Sequence, residues 1–189
     1  MCNQNTDMKL FTLSPNIFIV TDFFSPEECE HWIERTESGG YEEAKITVGR
    51  KQVMAKGIRN NERYILDDEA LERQLWERIE KYVPRELEIS AAIGLNERFR
   101  FYKYQPGHRF KPHYDGSYIR NINEWSEYTF MVYLNDGMEG GATNFEGVSV
   151  VPEAGMALIF KHDLLHEGAE VTAGVKYVLR SDVMYRRKG

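Results

Sequence analysis

Two side chains of metal-binding type stand two positions apart near the middle of the chain, in His113-Tyr114-Asp115. The preceding Pro112 disfavours helical geometry at the residue before it, so segment 110–115 is predicted to be extended. In an extended segment, side chains two positions apart point to the same side. An imidazole and a carboxylate on one side provide two ligands of a metal site, and the site needs a third.

Two histidines that could complete the site follow downstream, His162 and His166. Both lie between segment 155–160, predicted to be a buried strand, and the next predicted strand at 175–183. Two histidines and one carboxylate, with the other positions open, form the facial triad that binds Fe(II). The residues alone leave the choice of histidine open, and an isolated His-x-Asp is more often a structural pair than a metal site.

Further motifs surround these residues in a recognisable order. They are Tyr104-Gln105-Pro106-Gly107, His113-Tyr114-Asp115, Tyr133-Leu134-Asn135, Gly140-Gly141-Ala142-Thr143-Asn144-Phe145, His166 and Gly174-Val175-Lys176. With this set the chain resembles the Fe(II)- and 2-oxoglutarate-dependent oxygenases, in particular their prolyl 4-hydroxylase-like branch. The resemblance extends over about residues 13–186, which is nearly the whole chain.

The resemblance implies that His113, Asp115 and His166 are the Fe(II) ligands and form the catalytic centre. Among the two downstream histidines, His166 stands at the family's position before Gly174-Val175-Lys176. His162 is therefore expected at the surface or behind the metal ligands.

The resemblance also implies a pocket for 2-oxoglutarate, whose distal carboxylate needs a cation because burying it unpaired is very costly. Lys176 stands where the prolyl 4-hydroxylase-like branch places that cation. Arg180, four residues on and on the same strand face, stays open as the alternative, since arginine can bind a carboxylate through two hydrogen bonds. Tyr133 and Tyr104 match tyrosines of this pocket, and Thr129 shares the strand face of Tyr133.

The activity that the resemblance implies is hydroxylation of an unactivated C–H bond, with release of succinate and CO2. It would use Fe(II), 2-oxoglutarate as cosubstrate and O2, with ascorbate as a candidate reductant. The expected substrate is a prolyl or other side chain in a peptide or protein. However, Tyr177 stands where collagen-type enzymes favour tryptophan, so prolyl specificity is left open.

Three alternatives stay open. One is the same chemistry on a small molecule such as a free amino acid, and another is a non-enzymatic jelly-roll binding module. A cupin-type dioxygenase is a lesser variant, and the basic residues Lys176 and Arg180 argue against it. For substrate contact, the polar segments 46–64 and 116–127 are candidates, with Arg59, Arg63 and Arg120 available for an acidic or carboxylate-bearing substrate.

Composition fits one soluble globular domain of 189 residues, with 42% hydrophobic and 29% charged residues. The net charge is −6, and without a basic tract we expect neither nucleic acid nor membrane as a partner. The two cysteines, Cys2 and Cys29, fit a reducing compartment, and no signal peptide is recognised, so a cytoplasmic location is predicted. The sequence does not indicate an oligomeric state.

The order of elements predicts an α+β fold, since helical patterns come first and strands follow from about Phe99. Ser25-Pro26-Glu27-Glu28 is a capping box that starts one helix, and Asp67 or Asp68 starts a second. Segment 86–93 is predicted to be a short helix and 118–126 a surface loop. We expect a flexible tail at 1–12 and one domain at 13–189, a double-stranded β-helix (jelly roll) supported by N-terminal helices.

Overall fold

The structure is a computed structural model that describes residues 8–48, 51–53 and 55–189. The helices are α1 (Pro26–Gly39), α2 (Glu69–Ile79) and a 3-10 turn at Glu80–Tyr82. The first strands are β1 (Leu10–Ser14), β2 (Ile17–Val20), β3 (Glu42–Glu43), β4 (Ile46–Val48), β5 (Lys51–Val53), β6 (Glu62–Asp67), β7 (Ser90–Leu95), β8 (Arg98–Tyr104) and β9 (Phe110–His113). They are followed by β10 (Ile119–Asn121), β11 (Glu124–Tyr133), β12 (Glu139–Gly140), β13 (Thr143–Phe145), β14 (Val148–Val150), β15 (Ala157–Lys161), β16 (His166–Gly168), β17 (Val171–Ala173) and β18 (Lys176–Arg187).

Two antiparallel sheets form the body of the molecule. The larger one has ten strands, with the path β1-β2-β15-β11-β18-β8-β6-β3 and with β10 and β7 attached to β11 and β18. The smaller one has four strands in the order β14-β13-β16-β9. This arrangement, with few helices, confirms the predicted jelly roll of α+β class.

The hydrophobic core is divided into two clusters of buried side chains. One joins the helices to the large sheet through residues such as Trp32, Leu75 and Phe101. The other includes Tyr104, Tyr133 and Phe160 of the large sheet and has Phe110 and Phe145 of the small sheet packed against it. The second cluster therefore lies where the two sheets meet, and the first holds the helices on the large sheet.

The two predicted helices form where their capping signals stand. Ser25 accepts a hydrogen bond from the backbone N–H of Glu28, and the Glu28 side chain accepts one from Ser25, which is the predicted capping box. Asp68 caps α2. Arg78 of α2 forms an ion pair with Glu28 at 2.6 Å and so ties the two helices together.

Three local predictions are wrong. Segment 86–93 is not a helix, because Ser90–Leu95 pairs with β18 as strand β7. Segment 118–126 is not only a loop, because it contains β10 and the start of β11. The predicted tail ends too late at residue 12, because β1 begins at Leu10 and pairs with β2; residues 1–7 lie outside the described residues.

Long-range pairing explains these differences, since a partner strand elsewhere in the chain can outweigh local propensity.

Within residues 8–48, 51–53 and 55–189, no helix has the length and apolar character needed to cross a bilayer.

Candidate active site

The predicted metal ligands come together at one end of the small sheet. Strand β9 ends at His113 and pairs antiparallel with β16, so that His113 lies opposite His166. Asp115 follows just beyond the end of β9, and the Thr129 hydroxyl donates a hydrogen bond to its Oδ2 at 2.5 Å. One ligand atom from each of the three residues lies within 4.8 Å of the others. Three residues separated by up to 53 positions in the chain thus converge on one point.

Both histidines are oriented by backbone carbonyl groups. Nδ1 of His113 lies 2.8 Å from the carbonyl oxygen of Lys111, and Nδ1 of His166 lies 2.9 Å from that of Leu164. Because a carbonyl oxygen only accepts, each Nδ1 carries the proton and each Nε2 keeps a free lone pair. The Nε2 atoms lie 3.6 Å and 3.7 Å from the Asp115 carboxylate oxygens. Two imidazole nitrogens and one carboxylate form a donor set that fits Fe(II).

The protonation states also suit metal binding, which needs a neutral imidazole and an ionised carboxylate. Burial lowers the pKa of His166 to about 4, so its imidazole is neutral at pH 7. Burial alone would raise the pKa of Asp115. The Arg180 guanidinium and the neighbouring His113 and Thr129 groups outweigh burial and hold that pKa well below its usual range.

Arg180 is engaged with the protein's own carboxylates. Its Nη2 lies 3.1 Å from Oδ2 of Asp115 and 3.2 Å from Oδ1 of Asp182, on the same strand. Asp182 also pairs with Arg100 at 3.2 Å. These ion pairs hold the Asp115 carboxylate in place. Because Arg180 is already paired with two carboxylates of the protein, it differs from a cation that is free to bind a cosubstrate.

Lys176 is buried without such a partner. Its ammonium group donates a hydrogen bond to the Gly141 carbonyl at 2.5 Å and lies 5.3 Å and 5.2 Å from the ring centroids of Tyr104 and Tyr133. In the described part of the chain no acidic side chain pairs with it. Burial accordingly lowers the pKa of Lys176 to about 7. A bound carboxylate would compensate this buried charge.

The tyrosine predictions differ in outcome. Tyr104 lines the pocket beside Lys176, as does Thr129. Tyr133 lies behind the pocket wall, and its hydroxyl shares a hydrogen bond of 2.7 Å with Thr143. Thr143 itself lines the pocket and was not singled out from the sequence, although it stands within the quoted Gly-Gly-Ala-Thr motif. Tyr102 was also missed, and the strand alternation that placed it two residues before Tyr104 was the available signal.

Two cavities meet at the ligand cluster. The inner pocket is narrow, about 50 Å³, and extends past Thr129 and Thr143 to Lys176. The outer cleft is about 650 Å³, and its lining includes Lys45, residues of segment 58–63 and segment 113–118. The residues common to both cavities are Tyr102, Phe110, His113, Asp115 and Arg180. Two of the three predicted metal ligands, His113 and Asp115, therefore stand at the junction of a small cavity and a large one.

Two other sequence predictions lie outside this junction. His162 is buried rather than at the surface, with Nε2 3.6 Å from Oδ1 of Asp182, so it lies behind Arg180. Arg120 pairs with Glu97 and with Glu124 and does not line the outer cleft. The suggestion that Arg120 contacts a substrate is therefore not supported, because its partners hold it on another face.

Comparison with known proteins gives consistent matches. The family model described as the 2OG-Fe(II) oxygenase superfamily matches residues 99–181. Prolyl 4-hydroxylase 1 of Arabidopsis thaliana is 26% identical over 202 residues, covering 92% of this chain and 70% of the relative. The crystal structure of the viral collagen prolyl hydroxylase of Paramecium bursaria Chlorella virus-1 aligns with a TM-score of 0.65 and 18% identity, covering 92% and 97% of the two chains.

A prolyl hydroxylase of Trichoplax adhaerens, solved with a peptide fragment of the hypoxia inducible factor oxygen degradation domain, aligns with a TM-score of 0.66 and 15% identity. That alignment covers 90% of this chain and 84% of the other. The jelly roll, the His-Asp-His cluster and the family match define a 2-oxoglutarate-dependent dioxygenase. Its cofactor and cosubstrates are Fe(II), 2-oxoglutarate and O2. Within that class, the relatives that the chain resembles are prolyl 4-hydroxylases.

Proposed function

We propose that this protein hydroxylates a prolyl side chain in a peptide or protein, with conversion of 2-oxoglutarate to succinate and CO2. In this proposal His113, Asp115 and His166 hold Fe(II), the inner pocket takes 2-oxoglutarate, and the outer cleft takes the peptide. The observation that carries the proposal is the meeting of the two cavities at the ligand cluster. Such an arrangement brings cosubstrate and substrate to one metal from two sides.

The metal, when bound, supplies the activation of O2, and the protein supplies position and electrostatics. Lys176 binds the distal carboxylate of 2-oxoglutarate, and the hydroxyl of Thr143, aligned by Tyr133, stands beside it. Arg180 keeps Asp115 ionised and oriented toward the ligand cluster. The buried aromatic wall of Tyr104 and Phe160 excludes water from the pocket.

Two considerations favour a peptide as the substrate. The relatives that the chain resembles are prolyl hydroxylases, and one of them was solved with a bound peptide fragment. The outer cleft is also large, at about 650 Å³, which leaves room for a segment of a peptide chain. The choice of proline as the target residue is inferred from the relatives alone. The sequence does not add to it, because Tyr177 departs from the collagen-type pattern.

The first test is anaerobic addition of Fe(II) and then 2-oxoglutarate to metal-free protein. We expect the visible charge-transfer band of the chelate in the wild type, none with His166→Ala, and a requirement for far more 2-oxoglutarate with Lys176→Ala. Metal binding without a band would contradict the cosubstrate assignment.

The second test adds O2 and proline-containing peptides. We expect succinate in step with a product heavier by one oxygen atom, located on proline by tandem mass spectrometry. Oxygen found on another residue, or turnover of free amino acids alone, would contradict prolyl hydroxylation of peptides while leaving the oxygenase chemistry intact.

A further inference from the structure

The outer cleft carries more positive charge than the protein around it. The whole chain has a net charge of −6, yet the cleft is lined by basic residues in excess of acidic ones. The basic residues are Lys45, Arg59, Arg63, Arg100 and Arg180, and the acidic ones are Asp115 and Asp182. Both acids already contact guanidinium groups, and Asp115 is also an expected metal ligand. Arg63 pairs in turn with Glu42 at 3.0 Å, whereas no acidic side chain of the described residues pairs with the buried Arg59.

Arg59 is the cleft residue that most needs such a ligand. Its exposed fraction is only 6%, and its Nε donates a hydrogen bond to Oδ1 of Asn61 at 2.6 Å. Its guanidinium carbon lies 4.3 Å from the ring centroid of Tyr102 and 4.5 Å from that of Phe110. Its Nη2 is buried and has no hydrogen-bond partner in the described part of the chain. A buried charged donor without an acceptor is costly, and an oxygen atom from a ligand would remove that cost.

Arg59 is also close to the reacting centre. The ring of Phe110, which it contacts, stacks on the imidazole of His113 with centroids 3.5 Å apart. One aromatic ring thus separates the guanidinium from an expected metal ligand.

The segment around Arg59 is fixed in place by hydrogen bonds to the strand that carries His113. The backbone N–H of Lys111 donates to the carbonyl of Ile58 at 3.0 Å, and that of Arg109 donates to the Asn60 side chain at 2.8 Å. A positively charged group on a fixed segment is preorganised for a ligand and loses little entropy on binding.

The pKa of the Tyr102 phenol also indicates an excess of positive charge in the cleft. Burial alone raises the pKa of Tyr102, but the guanidinium groups of Arg59, Arg180 and Arg100 outweigh burial and lower that pKa to about 8. The field that favours a phenolate also favours a carboxylate in the same space.

We propose that Arg59 binds a carboxylate of the substrate and thereby selects acidic peptides. The inference rests on the proposed function, since it places the peptide in the outer cleft. Consecutive Cα atoms of an extended peptide are about 3.8 Å apart, so the carboxylate belongs to a residue one or two positions from the hydroxylated one. The exposed side chains of Ile58, Tyr114 and Tyr118 form an apolar rim for the neighbouring residues of the substrate.

The first arm of the test leaves the enzyme unchanged and varies the substrate. A peptide with one proline receives a single Asp at each of the two positions on either side, and the matched peptides carry Asn there. Binding is measured anaerobically with Fe(II) and 2-oxoglutarate present, and hydroxylation is then measured in air. We expect at least one Asp peptide to have a KM about tenfold or more below that of its Asn partner, because a charge-assisted hydrogen bond is lost in the Asn peptide.

Further peptides distinguish where the carboxylate comes from. A peptide ending in proline offers its terminal carboxylate, and free proline offers the same group without a peptide. Preference for either of these over the corresponding amide identifies a terminal carboxylate as the ligand. Preference for an internal Asp identifies an acidic side chain.

The second arm changes the enzyme. Arg59→Gln keeps much of the side-chain length and removes the charge, Arg59→Lys keeps the charge, and Arg73→Gln removes an exposed charge on α2 as a matched control. We expect Arg59→Gln to remove the preference for Asp over Asn and Arg59→Lys to restore part of it. We expect the control to resemble the wild type. Consumption of 2-oxoglutarate without peptide and the thermal midpoint show whether each variant keeps its site and fold.

The outcomes separate the two proposals. Equal KM values for all Asp and Asn pairs, with normal hydroxylation, would overturn carboxylate recognition and leave prolyl hydroxylation standing. Charge-selective binding that Arg59→Gln abolishes, without any oxidised product, would support carboxylate recognition and overturn prolyl hydroxylation. If Arg59→Gln weakens the binding of Asp and Asn peptides equally, Arg59 contributes only packing, and the inference is overturned as well.

Discussion

The inner pocket and the outer cleft share a wall at the ligand cluster but are built differently. The inner pocket is lined by alternate residues of long, paired strands, with Tyr104 on β8, Thr129 on β11 and Lys176 on β18. The outer cleft is lined mostly by connecting segments, such as those of Ile58 and Tyr114. Paired strands vary little, which suits a site for a cosubstrate that related enzymes share. Connecting segments vary more, which suits a site for substrates that differ among related enzymes.

The charges follow the same division. The inner pocket ends in one buried ammonium group at Lys176, whereas the outer cleft spreads several guanidinium groups over a wide surface. A single cation in a small cavity selects one carboxylate at one distance. Several arginines along a large cleft attract negative charge in general, and the buried Arg59 adds a more specific contact.

The largest expected effect is at the junction itself. His166→Ala removes one of the three proposed iron ligands, so we expect iron content to fall below one equivalent and turnover to fall by about a thousandfold or more. His162→Ala is the matched control, because this histidine lies four residues away and outside the cluster. Inductively coupled plasma mass spectrometry and succinate release measure the two quantities. Iron retained at the wild-type level in His166→Ala would contradict the assignment of the junction.

Next in size is the inner pocket's cation. Lys176→Met keeps the volume and removes the charge, so we expect the KM for 2-oxoglutarate to rise about a hundredfold while iron binding is unchanged. Because a buried, unpaired charge is lost, the thermal midpoint without 2-oxoglutarate should stay level or rise. Differential scanning fluorimetry with and without 2-oxoglutarate measures both. If 2-oxoglutarate stabilises Lys176→Met as much as it stabilises the wild type, another cation binds the distal carboxylate.

A moderate effect is expected from pH. The pKa of Lys176 is about 7 in the empty pocket, and a bound carboxylate raises it, so binding takes up a proton above pH 7. The affinity for 2-oxoglutarate should therefore be full below that pH and fall by up to about tenfold per pH unit above it, until the pKa of the complex is reached. Isothermal titration calorimetry of the metal-bound protein measures this slope, and Lys176→Met should lack it. A flat profile in the wild type would mean that Lys176 stays charged when the pocket is empty.

The smallest effect is expected behind the pocket wall. Tyr133→Phe deletes the hydroxyl that pairs with Thr143, so we expect a loss of about 1 kcal/mol in stability and a few-fold rise in the KM for 2-oxoglutarate. Peptide selectivity should not change, because Tyr133 does not line the outer cleft. Chemical denaturation and steady-state kinetics test the two statements. An effect on peptide KM alone would contradict the separation of the two cavities.

The sequence was most informative where regular strand alternation and ordered motifs coincide. On β18 the alternation predicted that Lys176 and Arg180 share a face, and both line the inner pocket. On β11 it placed Thr129 on the site face in the same way. Local rules could identify these residues because regular pairing preserves the two-residue period over the parts of the strands that carry them.

Other features depended on contacts that no local pattern contains. The engagement of Arg180 by Asp115 and Asp182 follows from the register of the sheets and from the segment after β9. The burial of Arg59 between two aromatic rings follows from the docking of its segment on β9. Strand β7 forms because β18 offers it an edge, although segment 86–93 alone resembles a helix. Each of these outcomes depends on a partner that is distant in sequence.

Strand β18 also sets a length scale for the chemistry. Lys176 and Arg180 are four residues apart on it, which at the rise of a strand is about 13 Å between their Cα atoms. Arg180 fixes Asp115, so the distance from the buried cation to the metal ligands is determined by the backbone of one strand that is paired on both sides. Loop motion cannot change that distance. If Lys176 binds the distal carboxylate as proposed, strand β18 sets the length of the cosubstrate, and dicarboxylates one methylene longer or shorter than 2-oxoglutarate would be rejected even where their charges match.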